Sequence, residues 1–129
     1  MIDLSKPRWQ RPFAAAIGMV AARGAPVSIE VHRDCDNAIQ RTNLMHVFKE
    51  AFARLRRDGV TLSLYLHPAR SMHDRFILAE FGGLNVGHGL DDNEDGGANP
   101  EANVSLLKHD FFEAQWTKFS DESLLVLRI

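Results

Sequence analysis

The feature that most constrains the fold is a pair of alternating segments on either side of a long helical one. Residues 27–32 and 60–66 alternate apolar and polar side chains, which is the period of a half-buried strand. Between a cap at Asp36 and a stop at Gly59, apolar side chains recur at helical spacing: Ile39, Leu44, Phe48, Phe52 and Leu55. A strand, a helix and a strand in this order predict a crossover connection between two parallel strands.

Weaker patterns extend this unit toward both ends of the chain. In chain order, the expected elements are a helix at 13–22 after Pro12, a hairpin of 75–80 and 84–90, a strand at 104–107, a helix at 109–119 and a closing strand at 124–129. The hairpin is expected to turn at Gly82 and Gly83. The late helix is expected to have an apolar side made of Phe111, Phe112, Trp116 and Phe119. The predicted fold class is α/β, a mixed sheet flanked by helices in a single domain of residues 1–129.

Composition and charge exclude several classes of protein. The chain of 129 residues is 45% hydrophobic and 25% charged, so it has enough apolar side chains to order a core. Its net charge of −2 argues against a strongly basic nucleic-acid binder, although the basic side chains concentrate in the first half. The single Cys35 excludes an intramolecular disulfide, and the longest apolar run, 13–22, falls short of the roughly 20 residues that span a bilayer. We expect a cytoplasmic protein that does not span a membrane.

The residues that carry chemistry stand around the predicted hairpin. The triplet His73, Asp74 and Arg75 precedes an apolar strand, and Gly87-His88-Gly89-Leu90-Asp91 follows it. In an extended chain His73 and Arg75 point to the same face, with about 6–7 Å between their Cα atoms. An imidazole and a guanidinium at that spacing suit a phosphate group, since arginine binds it as a fork and histidine attacks it or donates a proton.

This stretch resembles the phospholipase D superfamily, whose signature is H-x-K followed after four residues by an acid. His73 matches the histidine, Arg75 stands where lysine is expected, and Glu80 occupies the position of the acid. It is most similar to the phospholipase-D-like domain at the carboxyl end of MIT-domain proteins and in bacterial relatives. There a His-Asp-Arg triplet, an apolar strand, a glycine turn and a Gly-Arg-Gly-Leu-Asp motif follow in order, and His88 here replaces the arginine. The resemblance covers about residues 27–120.

The resemblance implies a half-domain and leaves several activities open. Catalytic members bring two motif copies together, so a chain with one copy would need to form a homodimer, with His73, Arg75 and Glu80 as a metal-independent phosphodiesterase or nuclease site. The MIT-associated domains instead bind acidic lipids and dimerise, and Arg75 and Glu80 depart from the catalytic pattern. We therefore expect recognition of nucleic acid or a phospholipid headgroup with little or no catalysis. The other alternative is a degenerate subunit of a larger complex, of the kind found in bacterial defence proteins.

Further side chains are candidates for the same ligand site. They are the strand-end residues His32, Arg33, His67 and Arg70, together with Asp74 and His88. The competing interpretation is structural: Asp74 pairs with Arg70 or Arg75 in a surface turn, and the histidines have no role in binding. We expect neither a metal nor a cofactor. The acidic residues 91–96 match the first half of a calcium loop, but the position that needs a bidentate glutamate is Ala102.

Overall fold

A computed structural model describes residues 7–24, 26–71, 76–79, 82–86 and 104–129 of the protein. In chain order its elements are α1 (Pro7–Ala21), β1 (Val27–Cys35), α2 (Ala38–Leu55), β2 (Val60–Pro68), β3 (Phe76–Ala79), β4 (Gly82–Val86), β5 (Val104–Leu106), α3 (His109–Lys118), a 3₁₀ turn (Glu122–Leu124) and β6 (Leu125–Arg128). This mixture of helices and strands confirms the α/β class.

The first sheet has the strand order β1-β2-β6. Strands β1 and β2 are parallel in unbroken register from the pair Val27 and Val60 to the pair Cys35 and Pro68. Strand β6 runs antiparallel to β2, with Ser63 opposite Arg128. The predicted parallel crossover and the mixed character of this sheet are therefore both confirmed.

The predicted hairpin does not join that sheet. Strands β3, β4 and β5 form a separate antiparallel sheet in the order β3-β4-β5. The expectation of one mixed sheet was wrong, because the described strands β3, β4 and β5 pair with one another and not with β1 or β6, the two edge strands of the first sheet.

The glycine pair also has a different role from the one predicted. Gly82 and Gly83 are strand residues opposite Ala79 and Leu78, so they do not form the turn. A Cβ added to Gly83 would lie 2.7 Å from Cδ2 of Leu78 and 2.9 Å from Cδ1 of Leu107. A larger residue at this position would require the ends of these leucine side chains to move.

The main core lies between helices α1 and α2 and one face of the first sheet. Its fully buried side chains include Ile17 of α1, Phe48 and Phe52 of α2, and Leu62 and Leu64 of β2. The rings of Phe48 and Phe52 meet edge to face, with centroids 5.6 Å apart. The α2 stripe was predicted correctly at its centre and wrongly at its start: Ile39 is 76% exposed, whereas Ala51, which was not predicted, is fully buried.

Several element boundaries differ from the sequence-based predictions. Helix α1 begins at Pro7, so Pro12 lies inside it rather than in its first turn, at the cost of one backbone hydrogen bond. Asn37, not Asp36, caps α2, because its Oδ1 accepts a hydrogen bond from the Gln40 N–H at 2.9 Å. Strands β1 and β2 extend beyond the predicted ends at residues 32 and 66. Their parallel pairing continues through Asp34 opposite His67 to Cys35 opposite Pro68.

Helix α3 buries less of its aromatic side than the spacing predicted. Phe112 is buried, whereas Phe111 and Trp116 are 44% and 41% exposed. The three-stranded second sheet is narrow and covers only one side of the helix. Phe119 follows α3 and is half-buried, in contact with the first sheet.

Candidate functional site

Opposite the core, the first sheet presents a second, polar face. Because side chains alternate along a strand, β1 places Glu30, His32 and Asp34 on this face while Val31 packs into the core. Strand β2 adds Ser63, Tyr65 and His67, which are all buried although they are polar. We refer to these six residues as the polar face. Buried polar side chains need hydrogen-bond partners, so the chemistry available on this face depends on which hydrogen bonds these residues make.

Two histidines meet on the polar face. His32 Nδ1 lies 2.9 Å from His67 Nε2, and we refer to these two side chains as the imidazole pair. His67 is only 5% exposed. The ring of Phe119 packs edge-on against both imidazoles, with centroid distances of 5.1 Å and 5.5 Å, and excludes water from one side.

Glu30 determines where the protons of the imidazole pair reside. His32 Nε2 lies 3.0 Å from Glu30 Oε2, and a carboxylate can only accept, so His32 carries its proton on Nε2. His32 Nδ1 is then an acceptor, and His67 must donate to it from Nε2. The neutral pair then has two nitrogens without a proton: His32 Nδ1, which accepts this hydrogen bond, and His67 Nδ1, which takes no part in it.

Burial dominates the electrostatics of the pair. It lowers the pKa of His32 below the ordinary value of 6.5, against an opposing effect from Glu30 and Glu122. Burial also lowers the pKa of His67, and the charges of His32 and Lys118 lower it further. The pair is therefore neutral around pH 7.

A second network ties the polar face to the end of the chain. The Tyr65 hydroxyl lies 2.8 Å from Glu122 Oε1 and 3.2 Å from Glu30 Oε1, so its one proton serves one carboxylate at a time. It accepts from Arg128 Nη2 at 3.0 Å, and Arg128 Nε donates to the buried Ser63 Oγ at 3.0 Å. Burial, followed by these carboxylates, raises the pKa of Tyr65 to about 12.

The carboxyl end of β2 is fixed beside the imidazole pair. Lys118 Nζ, at the end of α3, donates to the Ser71 carbonyl at 3.0 Å and lies 5.3 Å from the centroid of the Phe119 ring. Ser71 Oγ donates to the Pro68 carbonyl at 2.6 Å. Arg70, with a positive φ of 59°, is exposed in the turn between them. The ammonium group of Lys118 and the turn from Pro68 to Ser71 therefore lie next to the imidazole pair, at the carboxyl end of β2.

The structure brings together some of the predicted site residues and separates others. His32 and His67 are in contact, whereas Arg33 follows the alternation onto the core side of β1 with Val31. The predictions for His73, Asp74, Arg75, Glu80 and His88 fall outside the described residues.

Sequence reasoning missed several residues of the site. Glu30, Tyr65 and Arg128 were predicted only as strand residues, and Glu122 was not considered. The alternation of β1 and β2, combined with their parallel pairing, was sufficient to place Glu30, His32, Tyr65 and His67 on one face. Glu122 and Arg128 gave no such signal, because their approach depends on how the last segment packs.

Neither a metal site nor a membrane span is found in the part of the chain that the structure describes. Among those residues, no group of three or more His, Cys, Asp or Glu side chains could hold a metal ion. No helix among them is both long and apolar enough to cross a bilayer. A scan against protein-family models and searches of curated proteins and of solved structures found no match to this chain.

Proposed function

We propose that this chain is a phospholipase-D-like half-domain that binds a phosphate-bearing ligand as a homodimer, with little or no catalysis. The observation that carries the proposal is the position of the imidazole pair. His32 and His67 lie toward the carboxyl ends of two adjacent parallel strands. Open α/β sheets bind their ligands outside this edge. In the sequence, the same edge leads through Ser71 to the phosphate-suited residues His73 and Arg75.

The chemistry of the described edge supports an anionic ligand. Lys118 contributes a cation whose charge already acts on His67. The imidazole pair contributes a nitrogen, His67 Nδ1, that becomes a hydrogen-bond donor when protonated. An ammonium group and a protonated imidazole both donate hydrogen bonds to phosphate oxygens, whereas the nearby carboxylates of Asp34 and Asp121 oppose an anion while His67 is neutral.

The motif supports binding rather than turnover. Arg75 keeps the charge of the expected lysine but changes the shape of the group, and Glu80 lengthens the arm that would orient the histidine. One motif copy per chain makes the homodimer part of the proposal. The cytoplasm is the compartment we propose, since Cys35 is a free thiol.

A specific surface favours the second candidate function, a subunit of a larger assembly. Ile77, Leu84 and Leu106 are paired residues across β3, β4 and β5 and therefore lie in one row on one face of the second sheet. Ile77 is 43% exposed and Leu106 is 83% exposed. An exposed apolar row of this kind is typical of a contact surface for another chain.

Binding to two phosphodiester probes tests the proposal. Fluorescence anisotropy with a single-stranded oligonucleotide, and co-sedimentation with phosphatidylserine vesicles against phosphatidylcholine vesicles, separate nucleic acid from lipid. We expect one probe to bind, with binding weakened by Arg75→Ala and by His67→Gln but not by the control His46→Gln, which alters an exposed histidine of α2. Size-exclusion chromatography with light scattering should give a dimer.

Three outcomes would contradict this account. Binding of neither probe excludes phosphate recognition at this site. A stable monomer excludes the paired half-domain and favours a missing partner chain. Hydrolysis of either probe that is abolished by His73→Ala would make the protein a phosphodiesterase rather than a binding module.

A further inference from the structure

We propose that ligand binding at this edge is coupled to the uptake of one proton by the imidazole pair, with Glu30 as the positioning residue that directs the proton to His67 Nδ1. This inference rests on the proposed function, because it describes how the same site is regulated. The ligand is a phosphodiester, and its affinity is expected to rise as the solution becomes more acidic.

Hydrogen-bond geometry limits the uptake to one proton. In the neutral pair, His67 Nε2–H donates to His32 Nδ1 over 2.9 Å, and His32 Nε2–H donates to Glu30 over 3.0 Å. A proton added to His67 Nδ1 leaves both hydrogen bonds in place. A second proton, on His32 Nδ1, would set N–H against N–H across the 2.9 Å contact and break it. The pair can therefore take up one proton without losing a hydrogen bond, and a second proton would break one.

Groups from five elements act on the pair. They are Glu30 and Asp34 of β1, Tyr65 of β2, Lys118 of α3, Asp121 and Glu122 at the 3₁₀ turn, and Arg128 of β6 through the Tyr65 hydroxyl. Asp34 and Asp121 favour a charged His67, whereas Lys118 opposes it. Burial outweighs the two aspartates, so the protein alone leaves His67 neutral. One further negative charge at this edge shifts that balance toward the cation.

A bound phosphodiester would supply that charge. While His67 is neutral, the carboxylates of Asp34 and Asp121 repel an anion and Lys118 attracts it. Protonation of His67 Nδ1 adds a cation and a hydrogen-bond donor on the side facing away from His32. Binding and protonation therefore favour each other, and full coupling to one proton changes the affinity by up to about tenfold for each pH unit.

Isothermal titration calorimetry with a short oligothymidylate tests the coupling, because neither thymine nor an internal phosphodiester titrates near neutral pH. The titration is run at about pH 7 in two buffers with different ionisation enthalpies. We expect an uptake approaching one proton and an affinity that rises more than tenfold from about pH 8 to about pH 6. His67→Gln should retain weaker binding through the remaining groups and lose the uptake. The control His46→Gln should keep both.

Glu30→Gln tests the positioning role separately. A glutamine amide can donate to His32 Nε2 as well as accept from it, so the His32 proton is no longer held on Nε2 alone and its population on Nδ1, which reverses the His32–His67 hydrogen bond, should increase. Long-range ¹H–¹⁵N spectra should show this change of tautomer in the free protein, a readout that a merely structural role would not produce. The same spectra should show protonation at His67 Nδ1 when the oligothymidylate is added to the unaltered protein.

The outcomes separate the two proposals. Binding with no proton uptake and a pH-independent affinity overturns the coupling and leaves phosphate recognition intact. Uptake that persists in a folded His67→Gln variant also overturns it. Binding of neither the oligothymidylate nor phosphatidylserine vesicles overturns the proposed function, and the coupling with it. If His67→Gln does not fold, an unshifted His67 Nδ1 signal in the unaltered protein on binding is the contradicting result.

Discussion

The Tyr65 ring stacks on the His32 ring, with centroids 4.4 Å apart and an angle of 13° between their planes. The two residues are direct neighbours across β1 and β2. The hydroxyl of Tyr65 and Nε2 of His32 both contact Glu30, through its two carboxylate oxygens. One carboxylate thus joins the imidazole pair to the network that includes Glu122 and Arg128.

Ionisation of Tyr65 should be strongly suppressed. Tyr65 is the only tyrosine of the chain, so its absorbance change in alkaline solution reports on this residue alone. The folded protein should titrate with a pKa of about 12 rather than the ordinary 10.0. Because the folded pKa is the higher one, the stabilisation is complete below about pH 10 and lost as the pH rises through about 12. A midpoint near 10 in the folded protein would contradict the network.

Tyr65→Phe should destabilise the fold without disturbing the stacked rings. The substitution removes the hydroxyl that contacts Glu122, Glu30 and Arg128, and a cost of about 1–2 kcal/mol in the free energy of unfolding is expected. Urea denaturation measures it. In a double-mutant cycle with Glu122→Gln the two effects should not add, because the residues share a hydrogen bond. Full additivity would show that this contact is not made.

Gly83→Ala should destabilise the packing of α3 on the second sheet. Its new methyl group would meet Leu78, Leu107 and Phe112 within 3.2 Å, and such overpacking costs about 1–3 kcal/mol. The matched control is Gly18→Ala in α1, where a Cβ meets nothing within 4 Å and alanine should stabilise the helix by about 0.5–1 kcal/mol. Thermal denaturation of the two variants should give shifts of opposite sign. A tolerated Gly83→Ala would contradict the close approach.

The stability of the protein should fall on mild acidification. The folded pKa values of His32 and His67 lie below the unfolded value of 6.5, so the unfolded chain binds protons first. The free energy of unfolding is therefore highest above about pH 6.5 and decreases as the pH falls toward the folded pKa values. His67→Gln should flatten this decrease in urea denaturation, whereas His46→Gln should not. An identical slope in both variants would contradict the buried pair.

The sequence was sufficient to predict the elements and insufficient to predict how they meet. The strand–helix–strand crossover was predictable because each of its elements repeats a local period. That period is the alternation in β1 and β2 and the helical spacing of Leu44, Phe48 and Phe52 in α2. The separation of the second sheet was not predictable, because a local period identifies a strand but does not specify which strand it pairs with.

The same distinction applies to the candidate site. Parallel strands place His32 and His67 near one edge by topology alone, so their convergence could be anticipated. The proton arrangement could not, because it depends on Glu30 lying 3.0 Å from one nitrogen of His32 rather than the other. Such interatomic distances depend on side-chain packing and cannot be predicted from the spacing of residues in the sequence. Phe119 was predicted to lie on the apolar side of the last helix. Its ring instead packs against His32, a contact that also depends on packing.

The central claim is that a phosphodiester binds beside the imidazole pair, and histidine spectra test it most directly. Long-range ¹H–¹⁵N spectra of the ¹⁵N-labelled protein at about pH 7 report both ring nitrogens of every histidine. We predict that His32 and His67 carry their protons on Nε2 in the free protein, and that oligothymidylate shifts His67 Nδ1 while His46 and His109 stay unchanged. Binding of the oligothymidylate with no change at His32 or His67 would place the ligand elsewhere and contradict the account.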